Sequence, residues 1–171
     1  MQLNVAHLLK EAEGSSQAVS LDASFDRSED THAEHVHGRV RLVLLDGGIW
    51  VTGQLSATVL CSCSRCLRDY SFGTQLQIDD IYYPVAAIST GIPVALPPEA
   101  DPSFTIDDHH MLDISESVRQ SIILATPMKP LCQKECAGIC SECGINRNEA
   151  TCVCQDHEIN PIWAPLLKMS L

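Results

Sequence analysis

Six cysteines fall within the 23 residues from Cys132 to Cys154, in a stretch without apolar periodicity. Burial of side chains cannot organise such a segment, because it has too little apolar surface to offset the entropy of ordering it. The spacing is Cys132-x3-Cys136-x3-Cys140-x2-Cys143-Gly144, and eight residues separate Cys143 from the closing Cys152-x-Cys154. Cys140-Ser141-Glu142-Cys143-Gly144 has the form of a zinc knuckle: two thiolates three apart converge on one ion, and the glycine lets the backbone turn tightly enough for amides to face sulfur. A structural zinc takes four ligands. Spacing alone leaves the second pair open between Cys152 with Cys154 and Cys132 with Cys136. We favour Cys140, Cys143, Cys152 and Cys154, because the excursion between the pairs lets two knuckles face each other as in a zinc ribbon. One structural zinc ion is expected and a second is allowed. Free buried thiols or disulfides are the alternative, but six cysteines in so polar a stretch have little core to enter.

The remainder of the 171 residues must supply a core of its own, and with 5% aromatics it rests on Val, Ile and Leu. Against 11 Lys and Arg stand 22 Asp and Glu, a formal charge of -11. A sequence-independent grip on nucleic acid over the whole surface is thereby excluded, since such binding draws on cations displacing counterions from phosphates. No run approaches the 18 apolar residues of a membrane span, and Lys10 and Glu11 stand where a signal peptide would be apolar. A cytoplasmic protein is expected, and in that reducing compartment clustered cysteines point to metal or thiol chemistry.

Three parts are expected along the chain. Residues 1–35 read as an N-terminal arm with a short helix at Val5 to Ala12 and an acidic, exposed stretch from Asp22 to Glu34. Residues 36–130 read as a β-rich body. Val36 to Leu45 and Ile49 to Cys61 alternate around Asp46-Gly47-Gly48, a hairpin turn, with Ile49, Val51, Leu55, Ala57, Val59 and Cys61 on one face. Tyr70 to Tyr83 reads as a third strand with Phe72, Leu76 and Ile78 inward. Five prolines between Pro84 and Pro102 make that stretch a loop. Asp113 and Glu116 suggest a capping box opening an amphipathic helix, Ile114 to Ala125. Residues 131–171 are the cysteine segment and a tail. The fold class is therefore α+β: an antiparallel, barrel-like β-meander packed by one or two helices, with a zinc-ribbon-like C-terminal segment.

A second cluster, Cys61-x-Cys63-x2-Cys66, lies between two strands. Its Cys63 and Cys66 fit three roles: turn-stabilising thiols, metal ligands together with Cys132 and Cys136, or a dithiol redox pair favoured by Arg65. His32, His35 and His37, and His109 with His110, read as solvated. Asp79-Asp80 and Asp107-Asp108 read as surface charge, because neighbours along a strand point to opposite faces. The chain has no Gly-rich phosphate loop, nucleophile elbow or helix-borne His-Glu-x2-His.

Taken together, Cys63-Ser64-Arg65-Cys66-Leu67, the run from Ile123 to Cys132, and Cys136-Ala137-Gly138-Ile139-Cys140-Ser141-Glu142-Cys143-Gly144-Ile145-Asn146 resemble the YceD family over about Gly38 to Lys168. The resemblance implies a non-enzymatic factor for synthesis, processing or stability of 23S ribosomal RNA. Some relatives lack the C-terminal cysteines, which implies that zinc here is structural. Asn160-Pro161-Ile162 stands where the family favours Asp-Pro-Arg, so no RNA or partner role carries over to that tail. The expected partner is a large-subunit ribosomal protein or a ribosomal RNA maturation factor, with Arg65, Arg68, Lys129 and Lys134 offering local contacts to RNA phosphates or to that partner. A generic zinc-ribbon adaptor and a thiol-redox protein are the competing readings.

Overall fold

The structure, a computed structural model, describes residues 1–24, 33–87, 90–98 and 100–154. Its centre is the hairpin pair foreseen from alternation: β3 (Ala33–Leu45), β4 (Gly48–Ser62) and β5 (Asp69–Pro84), antiparallel in succession. Ile49, Val51, Leu55, Ala57 and Val59 of β4 are buried on one face, opposite Val36, Val40 and Leu42 of β3 and Leu76, Ile78 and Tyr82 of β5. The two-residue period places every second side chain of these strands in a common core.

Four further strands complete a seven-stranded sheet curled into a half-barrel, in the order β1-β7-β6-β5-β4-β3-β2. They are β1 (Gln2–Asn4), β2 (Ser16–Ser24), β6 (Thr105–Ile106) and β7 (Met111–Asp113). The pairing of β5 with β6 is parallel, so the sheet is mixed rather than wholly antiparallel. Parallel neighbours need a crossover, and the proline-rich stretch after Pro84 supplies it.

Residues 1–35 do not form the arm expected from their polarity. Ser16 to Ser24 pairs along its whole length with β3, and Gln2 to Asn4 pairs with β7, so consecutive strands occupy opposite edges of the sheet. The chain between them carries Val5, Leu8 and Leu9 into the core. Only Leu8–Lys10 is helical there, as a single 3-10 turn. The acidic stretch after Ser24, including His32, lies largely outside the described residues.

Two glycines set the close crossing of β3 and β4. Gly53 faces Val40 and Gly38 faces Leu55. A Cβ on Gly53 would lie 2.4 Å from the Arg39 carbonyl oxygen, and one on Gly38, whose φ is +154°, would lie 2.6 Å from that of Gln54. Strand glycines mark such points of backbone approach.

One α-helix occurs among the described residues, α1 (Ser115–Ala125), packed on β5 through Val118 and Ile122. Its start is not the expected capping box. Ile114 is the N-cap residue, and the Asp113 carboxylate accepts the Ser115 amide. Glu116 turns forward instead, accepting from the Arg119 guanidinium at 2.6 and 2.7 Å and from Gln120 at 2.8 Å. Those bonds, Arg119's foremost, hold its carboxyl at about 2, below the 4.5 of an unperturbed glutamate. A carboxyl depressed on folding stabilises the native state above about pH 4.5 and ceases to do so as pH falls toward 2. Glu116→Gln should therefore lower the thermal midpoint at pH 6 and leave it unchanged near pH 2; a difference that persists at pH 2 would assign the effect to another cause. No helix among the described residues is long and apolar enough to cross a membrane.

Candidate metal centre

The β4–β5 hairpin ends in Cys63-Ser64-Arg65-Cys66-Leu67-Arg68, folded so that the Cys63 amide donates to the Arg68 carbonyl at 2.9 Å and the Leu67 amide to the Cys63 carbonyl at 2.9 Å. The same two bonds recur at Cys140, whose amide donates to the Ile145 carbonyl at 2.9 Å while the Gly144 amide donates back to the Cys140 carbonyl at 3.0 Å. Both turns place the residue after the second cysteine in the left-handed region, Leu67 at φ 58° and Gly144 at φ 71°. The hairpin tip is thus a second knuckle of the same build. Leucine there costs about 1 kcal/mol relative to glycine, and it conceals the likeness in the sequence.

Beyond α1 the chain returns to this tip. The Ser64 amide donates to the Pro130 carbonyl at 2.8 Å, and Cys132 and Cys136 arrive against Cys66 and Cys63. Sulfur–sulfur distances are 3.7 Å for Cys63 with Cys136 and 3.6 Å for Cys66 with Cys132, and all four sulfurs lie within 4.8 Å of one another. A tetrahedral tetrathiolate with metal–sulfur bonds of about 2.3 Å has edges of about 3.8 Å. The donor set therefore fits a single cation. Cys63, Cys66 and Cys136 are buried, with Tyr70 and Leu131 packed beside them.

Cys140, Cys143, Cys152 and Cys154 form an outer group, their sulfurs again within 4.8 Å of one another. Cys140 is buried, Cys152 half-buried, and Cys143 and Cys154 exposed. Of the roles open to Cys63 and Cys66, the structure builds the one in which they join Cys132 and Cys136, giving a second group of four beside the favoured one. Cys61 stands outside both, against the core, where burial raises its thiol pKa.

Electrostatics in the two groups are alike. The Cys66 amide is the main influence holding the Cys63 thiol at about 6 against burial, and the amides of Cys143 and Glu142 hold Cys140 at about 6. Burial and then the Cys66 thiol push Cys132 up to about 12; the Cys143 side chain, followed by burial, does the same to Cys154. Each group thus mixes depressed thiols, Cys63 and Cys136 in the inner and Cys140 in the outer, with one that burial and its neighbouring thiols raise. A bound divalent cation displaces the protons that remain.

The proposed contact residues divide. Arg65 donates from Nη1 to the Cys136 carbonyl at 2.9 Å and so holds the cysteine segment on the hairpin tip, while Arg68 makes only an exposed ion pair with Glu149 at 2.9 Å. Lys129 and Lys134 are exposed. Sequence reasoning overlooked Arg39 and Arg41, exposed on the outer sheet face and without an ion-pair partner among the described residues; their i, i+2 spacing on β3 was the available signal. Among the histidines, His35 Nε2 lies 2.8 Å from the Asp22 carboxylate and His37 stacks beside His35, while His109 and His110 turn the β6–β7 connection. Asp79 accepts from the Trp50 indole at 2.6 Å and Asp80 from the Ser117 hydroxyl, on opposite faces.

A mostly-sheet half-barrel whose hairpin tip supplies half of one four-thiol group, with a second such group beyond it in the chain, defines a β-rich protein with a cysteine-held appendage. Residues 51–170 match the family described as "Large ribosomal RNA subunit accumulation protein YceD", and the chain belongs to that family. It is 26% identical over 138 residues to the proteins named "Uncharacterized protein Rv2926c" of Mycobacterium tuberculosis and "Uncharacterized protein Mb2951c" of Mycobacterium bovis, covering 76% of this chain and 59% of theirs. To "Uncharacterized protein ML1660" of Mycobacterium leprae it is 25% identical over 131 residues, 76% of this chain and 57% of that one. The chain thus spans just under three-fifths of the length of these relatives. No solved structure matches it.

Proposed function

We propose that this protein is a non-enzymatic, cytoplasmic factor for the accumulation of 23S ribosomal RNA, acting in large-subunit assembly through a rigid, zinc-ribbon-like docking segment. The observation that carries this reading is the convergence of eight cysteines into two tetrathiolate groups in a chain of the YceD family. All-sulfur tetrahedral sets suit zinc or iron–sulfur centres, and closed four-ligand zinc sites are structural. Eight of the nine cysteines fall in these two groups, which favours scaffolding over thiol turnover.

Eight single Cys→Ser variants test the ligand assignment. Native mass spectrometry should find two zinc ions in the parent and in Cys61→Ser, and fewer in each variant at 63, 66, 132, 136, 140, 143, 152 and 154. Retention of both ions by any of those eight would remove that cysteine from the ligand set, and an iron chromophore would replace zinc.

For the partner, an acidic body attracts basic ribosomal proteins, and complementary charge speeds such encounters. Leu124 and Met128 flank Thr126 and Pro127 in sequence and are almost fully exposed, beside a groove of about 500 Å³ lined also by Leu60, Asp69 and Pro130. Among the described residues Lys10, Arg39, Arg41, Lys129 and Lys134 are exposed cations open to phosphate. A pull-down with RNase treatment separates the routes: a ribosomal protein that survives RNase supports the protein partner, and recovery of RNA fragments alone refutes it.

A further inference from the structure

The two four-thiol groups share one short piece of chain. Arg147 and Asn148 belong to the excursion between the paired ligands of the outer group, yet they donate to sulfurs of different groups. Arg147 Nη2 reaches Cys140 Sγ of the outer group at 3.8 Å, and Asn148 Nδ2 reaches Cys136 Sγ of the inner group at 3.3 Å. The rest of Asn148 fixes that amide. Its Oδ1 accepts from the Ala137 amide at 2.8 Å and from Gln133 Nε2 at 2.9 Å, while Asn146 Oδ1 accepts from both its backbone and its side chain at 3.0 and 2.7 Å. The excursion is laid on the linker between the groups by the Arg147 amide, which donates to the Gly138 carbonyl at 2.9 Å, and the linker lies on the hairpin tip through the Ile139 amide and the Arg65 carbonyl at 3.1 Å.

From this we infer that the two metal sites fill cooperatively, with Asn148 as the positioning residue that couples them. The inference rests on the metal reading above. Closing the outer group on its ion fixes residues 144–151 and so presents the Asn148 amide to Cys136. Hydrogen bonds to a ligating atom orient it and favour its metal-bound form, and removing such a partner typically weakens metal binding about 10- to 100-fold. Coupling of this kind is reciprocal, so an ion in the inner group also favours closure of the outer one.

The test is a zinc titration of the metal-free full chain under reducing conditions, followed by native mass spectrometry. At one equivalent the parent should divide mainly between metal-free and two-zinc molecules. Asn148→Ala should accumulate the one-zinc form at one equivalent, bind its inner ion about 10- to 100-fold more weakly, and still reach two at excess. Glu149→Ala removes only the exposed ion pair to Arg68, worth little by itself, and should titrate like the parent. A parent that passes mainly through the one-zinc form would overturn the coupling. Cooperative loading retained in Asn148→Ala, or lost equally in Glu149→Ala, would overturn the role of Asn148. If the parent binds no zinc at all, the metal reading fails instead, and the coupling fails with it.

Discussion

Stripping the metal should leave the half-barrel folded while residues 131–154 lose their structure. Among the described residues the main core runs from Val5 to Ile122 and contains no residue of the cysteine segment, which instead joins a small cluster of Cys63, Cys66 and Cys136 with the partly buried Tyr70, Leu131 and Cys132. Apart from the Ile139 amide on the Arg65 carbonyl its backbone bonds are turns within the segment, and structural zinc in comparable small peptides is worth roughly 10 to 16 kcal/mol of apparent binding free energy. Nothing else in the segment approaches that. Hydrogen exchange on chelator-treated protein should show the amides of Ile139, Cys140, Gly144 and Arg147 exchanging freely, with those of Val40, Val51 and Leu76 still protected. Acidification should act in the same direction as chelation, since protons compete for the thiolates and metal affinity falls with pH. Protection of the segment in metal-free protein would contradict this.

Gly53→Ala should be among the most damaging single-methyl changes in the body. Its Cβ would lie 2.4 Å from the Arg39 carbonyl oxygen and 2.8 Å from Val40 Cα, and both obstacles are backbone of the neighbouring strand. No side chain can rotate away, so β3 and β4 would have to separate along their register, breaking contacts among Val40, Val51 and Leu55. Overpacking of this kind costs about 3 kcal/mol or more when backbone must move. Gly73→Ala on β5 provides the comparison: its Cβ meets nothing within 4 Å, and its effect should stay within about 0.5 kcal/mol. Urea midpoints of the metal-loaded proteins measure both. Equal midpoints would mean that the glycine crossing does not constrain the sheet.

The three long strands were legible because Val, Ile and Leu alternate cleanly in them, and the Asp46-Gly47 turn between β3 and β4 has the residues its backbone demands. β2 was not, because Gln17, Ala18, Ser20 and Asp22 dilute a pattern in which only Val19, Leu21 and the small Ala23 turn inward. It becomes a strand because β3 offers an edge, a tertiary cause absent from local sequence. At the site, Cys140 with Cys143 was legible from two-residue spacing followed by glycine. The grouping of Cys63 and Cys66 with Cys132 and Cys136 was one of three open readings, since 65 residues separate Cys66 from Cys132 and only the fold closes that distance. Arg65 was read as a phosphate contact from its charge; its place inside the turn commits it to the Cys136 carbonyl instead.

Because strands at the two ends of the sheet come from neighbouring stretches of chain, much of this architecture has to wait for late synthesis. β1 finds its partner only when residues 111–113 exist, and the hairpin tip receives Cys132 66 residues after Cys66 has been made. At translation rates of about 5 to 20 residues per second, that interval lasts roughly 3 to 13 s. During it the nascent hairpin carries half a chelate, a pair of bare sulfhydryls that can hold an ion only weakly, so a cation bound by the inner group would be captured as one of the last acts of folding.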